Sequence, residues 1–154
     1  MKQFQYRLDT VLAYKTQVLD NLKTEHAAII QNVNRKQEEI RGLNKELVTY
    51  ESDFDRAKEE GATIENYRLF DMCIGRMEEI IDLEKKHLKD LRKQEDAKKQ
   101  EVISAKVDTS KFEKLKDRKY QEYQKAVMKA EEAFIEEFVS NTAATMGIRR
   151  QHRG

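Results

Sequence analysis

Apolar residues recur at spacings of three and four along almost the whole chain, with one interruption. From Phe4 the ladder runs through Leu8, Val11, Lys15, Val18, Leu22, Glu25, Ile29, Val33, Lys36, Ile40, Leu43, Leu47, Tyr50 and Phe54. It resumes at Tyr67, Phe70, Ile74, Met77, Ile81, Glu84, Leu88 and Leu91, then continues through polar Glu95 and Lys98 to Val102, Ala105 and Phe112. Such spacing marks one face of an α-helix. Between the two ladders, Glu59-Glu60-Gly61-Ala62-Thr63 is the one place where the chain can reverse. Gly tolerates the positive φ that closes a helix, and Thr63 is an acceptable N-cap for the next one. The pattern predicts an all-α fold, a long two-helix antiparallel coiled-coil hairpin with an overhanging C-terminal helix. Helix one covers about residues 4–59, the turn about 60–63 and helix two about 63–140, followed by a flexible basic tail over about 141–154.

Two steps of four, into Ile29 and into Val33, make a stutter that locally unwinds a supercoil. Lys15, Glu25 and Lys36 on the seam weaken pairing in the middle. Val107-Asp108-Thr109-Ser110 has poor helix propensity, and Ser110 with Glu113 would cap a new helix if the second one broke there. With no Gly or Pro in that stretch, continuity through a bend is the expectation. At about 1.5 Å per residue, helix one is roughly 80 Å long and helix two roughly 115 Å. Phe4 then lies opposite residues near Lys119, and Tyr120, Tyr123, Val127, Ala130, Phe134 and Phe138 form a stripe largely beyond the reach of helix one. Two readings follow: another protein covers the stripe, or a bend returns it onto the hairpin.

At about 100° per residue, Tyr67, Phe70, Ile74, Met77 and Ile81 share one direction, with Leu69, Cys73 and Ile80 on the flank. The combined arc is roughly 140°, wider than one partner helix covers. Either ladder or flank is left outward as an apolar binding patch, or the side chains wrap the tight tip and cover one another.

Composition supports the helical reading and narrows the function. Of 154 residues, 38% are charged, Lys+Arg 30 against Asp+Glu 29, with no Pro and 5 Gly. A net charge of +1 makes no case for nucleic acid or an anionic membrane. Met1–Arg7 has no apolar core of the kind a signal peptide carries, and no apolar run approaches the ~20 residues of a membrane span, so a cytosolic protein is expected. Cys73 stands alone and offers neither disulfide nor metal site; its expected role is a small apolar residue at the tip. His26, His87 and His152 are far apart without ligand-type partners and are expected on solvated surfaces. No Gly-rich phosphate loop occurs. No catalytic, cofactor-binding or metal-binding residue is expected, and no cofactor. Ile148-Arg149-Arg150-Gln151-His152-Arg153-Gly154 is a short basic tail, either solvated or held against an acidic partner or membrane surface.

Phe4-Gln5-Tyr6-Arg7-Leu8-Asp9-Thr10-Val11-Leu12 resembles the amino terminus of the flagellar export protein FliJ family, F-x-[FY]-R-L-[DE]-x-[VL]-L. The length, the spacing at the tip and the Phe112-Glu113-Lys114-Leu115-Lys116 stretch before a Tyr/Glu-rich helix are similar as well. The resemblance implies a non-enzymatic, stalk-like coiled coil of the flagellar type III export apparatus. It implies three partners: the hexameric export ATPase, the membrane export-gate protein FlhA and export chaperones. It implies a cytoplasmic location, with peripheral association at the cytoplasmic face of the inner membrane through the apparatus only. The family's gate contacts, carried over by position, fall on Leu43, Leu47, Tyr50, Phe54, Phe70, Ile74, Met77 and Ile81. Phe54 and Ile81 stand where relatives can carry Tyr and His, which makes this patch more apolar. The stalk analogy places Phe4, Arg7, Leu8 and Val11, with Tyr120, Tyr123, Val127, Phe134 and Phe138, against the ATPase ring. A virulence-type injectisome stalk and a generic coiled-coil scaffold or homodimer remain as alternatives.

Overall fold

The computed structural model describes residues 2–152, with side chains through Arg149. The fold is all-α, two long helices packed against each other: α1 over Asp9–Glu60 and α2 over Ile64–His152, with no strand among the described residues. Its contacts divide into two units, one of residues up to Thr16 together with those from Val107 onward, the other Gln17–Lys106.

The reversal between the helices is built as local chemistry requires. Lys58 lies in the last turn of α1, where a cation meets the negative end of the helix dipole. Gly61 follows at φ 77, the left-handed position that ends a helix. Thr63 caps α2: its hydroxyl accepts from the Asn66 N–H at 3.3 Å, and its carbonyl from the Tyr67 N–H at 3.1 Å. The Tyr67 hydroxyl accepts from the Ala62 N–H at 3.2 Å, so a seam aromatic also ties down the loop.

Within the Gln17–Lys106 unit the two helices run antiparallel in one register. Phe54 stacks on Phe70 at 5.3 Å and meets Tyr67 edge-on at 6.0 Å, while Lys58 lies 4.0 Å over the Phe54 ring. Farther along, Lys36 bonds Glu84 at 2.6 Å, His26 meets Glu95 at 2.8 Å and Lys98 reaches Glu25 at 2.9 Å. Leu19, Ile40 and Ile81 are the buried apolar side chains of this unit. Each contributes roughly 1.5–3 kcal/mol, with cross-helix ion pairs between them fixing the register.

The other unit pairs the amino-terminal segment with the later part of α2. Leu12 and Thr109 are buried here, and the Thr109 hydroxyl donates to the Lys15 carbonyl at 3.4 Å. Lys15 pairs with Asp108 and lies 5.6 Å over the Phe112 ring. Lys116 holds Asp9 at 2.9 Å, and the Tyr6 hydroxyl donates to the Phe112 carbonyl at 3.1 Å.

Several expectations change. Helix one begins at Asp9, not near Phe4, with the Asp9 N–H donating to the Tyr6 carbonyl at 3.1 Å. An acid in the first turn suits a start there, and the preceding residues instead dock through their aromatic rings. Helix two does not stop near Ser140 but continues to His152. No Pro interrupts it, and the Thr142 and Thr145 hydroxyls donate to the Phe138 and Asn141 carbonyls inside the helix. Arg153 and Gly154, the end of the expected basic tail, lie outside the described residues, as does the His152 side chain. Val107–Ser110 is helical throughout. On α1 the seam passes through Leu12, Leu19 and half-buried His26, not through Val11 and Glu25, both of which are exposed. Glu25 gains more at the rim, where its carboxylate stays wet and reaches Lys98, than it would on the seam.

Candidate docking surfaces

The first surface lies on the tip half of the Gln17–Lys106 unit and is made by the helix period. The ladder expected from the sequence turns inward. Leu43, Leu47, Phe54, Phe70, Ile74 and Met77 are half-buried, and Ile81 is only 4% exposed. Most of the flank is left outward: Leu69 is 59% exposed and Met72, one turn on, 71%, with exposed Cys73 beside them, half-buried Ile80 farther along α2 and exposed Leu83 one turn past it. Cys73 is therefore a surface thiol and not a packed residue of the tip. Leu69, Met72 and Cys73 border an open groove with Tyr50, Met77 and Ile80, and Gly75 opens it by lacking a side chain. Arg76 and Glu79, 3.8 Å apart, put a polar pair on the same groove. Of the eight tip positions expected to bind, Tyr50 and Met77 line the groove; the others form the seam beneath. Met72 and Leu83 were absent from the expected set, although their position one turn from Leu69 and Ile80 on the α2 face carried the signal.

The second surface belongs to the unit containing both ends of the chain. Phe4 sits edge-on to Tyr120 at 5.2 Å and 5.6 Å from Tyr123, whose hydroxyl donates to the Lys2 carbonyl at 2.8 Å. These aromatic pairs each add about 0.5–1.5 kcal/mol beyond area burial. Phe4, Tyr6, Arg7, Leu8, Leu115 and Tyr123 line a groove there. The structure thus brings Phe4, Arg7, Leu8 and Tyr123 together, with Tyr120 stacked beside Tyr123 against the Phe4 ring, while Val11 stands apart as an exposed residue. Past Tyr123 the stripe loses its cover. Val127 is half-buried, whereas Phe134 is 70% and Phe138 64% exposed, with Ile135, Val139 and Met146 similarly open. Tyr6, Leu115 and Ile135 were not among the contact residues expected from the sequence, although Tyr6 fills the [FY] position of the amino-terminal motif; what it does there is visible only once its hydroxyl is seen to reach across to α2.

Away from the tip, the chemistry of the Gln17–Lys106 unit is that of ion pairing. The bond to Lys36 holds the Glu84 carboxyl below its ordinary range, and the bonds to Glu84 and Glu39 hold the Lys36 ammonium above its own. The bond to His26 lowers Glu95 in the same way, and the bonds to Glu25 and Glu101 raise Lys98. His26, expected to be solvated, is a half-buried partner in this layer. Among the described residues no group of His, Cys, Asp and Glu is placed to hold a metal ion, and no helix is long and apolar enough to cross a membrane. The arrangement offers two apolar faces for binding.

A family model described as "Flagellar FliJ protein" matches residues 4–147. No curated protein and no solved structure matches the chain.

Proposed function

The chain belongs to the FliJ family, whose role lies in flagellar protein export, and from that premise we propose a non-enzymatic stalk with two docking surfaces. The single observation that supports it is apolar surface that the chain's own helices leave open in each unit. Exposed apolar patches of this kind are costly in water and mark interaction sites.

In this reading the unit containing both chain ends binds the hexameric export ATPase. Phe4, Arg7, Leu8, Val11, Tyr120 and Tyr123, followed by Val127, Phe134 and Phe138, form the contact face. The tip of the Gln17–Lys106 unit binds the membrane export gate. Tyr50 and Met77 touch the partner beside Leu69 and Met72, while Leu43, Leu47, Phe54, Phe70, Ile74 and Ile81 hold that face in place from the seam. Export chaperones are further partners, and the protein reaches the membrane only through the apparatus. A rod that contacts unequally the subunits of a ring binds some ring conformations better than others, and so shifts their populations.

Titrating the purified chain into its cognate export ATPase tests this directly. ATP hydrolysis is expected to rise and then saturate; a flat response across the titration refutes the ring-binding assignment.

A further inference from the structure

Between Val127 and Met146, α2 presents a broad apolar face that neither helix covers. At about 100° per residue, Val127, Phe134 and Phe138 lie within roughly 40° of one another, with Ile135 and Met146 extending the face to roughly 120°. Glu131 lies inside this face, between the directions of Phe138 and Ile135, and is a neighbour of Val127, Phe134 and Ile135. Its helical neighbours at three and four residues are Val127, Met128, Phe134 and Ile135, none of which can pair a carboxylate. Glu132 and Glu137 stand at the two borders of the face. From Ala130 to Ile148 there is no Lys or Arg.

Any partner that covers Phe134 and Phe138 must also cover Glu131. A carboxylate removed from water without a cation costs more than one extra apolar contact returns. A second copy of the chain is a poor occupant: it brings the same glutamates to the contact, and its own Lys and Arg residues all lie outside Ala130–Ile148. An anionic bilayer is repelled by the same charges.

We propose that this face docks on an apolar protein surface carrying a Lys or Arg that pairs with Glu131, and further basic residues opposite Glu132 and Glu137. The inference rests on the assignment of this unit to the export ATPase, and places the complementary basic residues on that ATPase. Arg is the better fit, since its planar fork meets a carboxylate with two bonds.

The test measures affinity of the full chain for the purified export ATPase at low and at physiological salt, with Glu131→Lys, Glu131→Gln and, as a charge control on the other unit, Glu46→Lys. Rim and interface charges act through salt-sensitive attraction, so wild-type affinity should fall with added salt, and Glu131→Lys should bind roughly tenfold more weakly at low salt. Glu131→Gln should lose severalfold, and Glu46→Lys should match wild type. Glu131 is exposed, so helicity by circular dichroism should be the same for all four proteins. Wild-type binding that is indifferent to Glu131→Lys, or weakened as much by Glu46→Lys, overturns this inference and leaves the ring assignment standing. Failure of the wild type to bind the ATPase overturns both. A wild-type dimer in sedimentation that Glu131→Lys dissociates assigns the face to a second copy instead and overturns the proposal.

Discussion

Around Ile81 and around Phe134, α2 uses the same kind of pattern with opposite results. At Ile81 the facing turn of α1 brings its own apolar stripe, so the side chain is nearly sealed, and Leu69 and Met72 of the neighbouring arc are left to water. At Phe134 the apolar arc is nearly as wide, but neither helix covers it and the ring stays open. An apolar stripe therefore states only that some partner is required. Whether that partner is internal depends on which residues the register brings opposite, and this separates a side chain that holds the fold from one free to bind.

The largest expected effect tests that separation directly. Ile81→Ala should lower unfolding stability by about 2–4 kcal/mol through a cavity on the seam, whereas Phe134→Ala should stay within about 0.5 kcal/mol of wild type; urea denaturation followed by circular dichroism compares them. Equal losses would mean that Phe134 is packed.

At the tip, Leu69→Ser with Met72→Ser should weaken binding to the purified export gate while leaving helicity and melting temperature unchanged. Phe70→Ala with Ile74→Ala removes seam contacts, so it should weaken binding and also lower stability by a few kcal/mol, on the order of the usual large-to-small losses. Surface plasmon resonance beside thermal melts distinguishes the two pairs. If the serine pair binds as wild type, the outward flank is not the docking face.

A smaller effect is expected at the turn. A side chain at Gly61 would meet nothing within 4 Å, so Gly61→Ala isolates the conformational cost of φ 77. That cost is about 1–2 kcal/mol, read as a shift in the urea midpoint without change in slope.

The smallest effects concern the ion-pair layer. Glu84 and Glu95 have folded pKa values below the ordinary 4.5, so their pairing stabilises the fold above that pH and is lost as pH falls through the lowered values. Lys36 and Lys98 are raised above 10.5, so their pairing is present below that pH and lost as pH rises through the raised values. The urea midpoint should fall on acidification below about pH 4.5, and Glu95→Gln should flatten part of that fall; an unchanged acid limb would show that the His26 contact adds nothing to stability.

The two helices and the place where they turn were legible in the sequence alone, because both are local. A spacing of three and four persists only where the backbone is helical, and Gly61 with Thr63 supplies a helix end and a helix start within three residues. Tertiary structure decided the rest. It chose the ladder over the flank at the tip, and it placed Leu12, Leu19 and His26 on the seam where Val11 and Glu25 fit the spacing as well. It kept Phe4 out of the helix and against Tyr120 and Tyr123. In each of these, neighbouring positions on one helix are nearly equivalent to the local backbone. Only the side chains arriving from the facing helix make one of them the better burial.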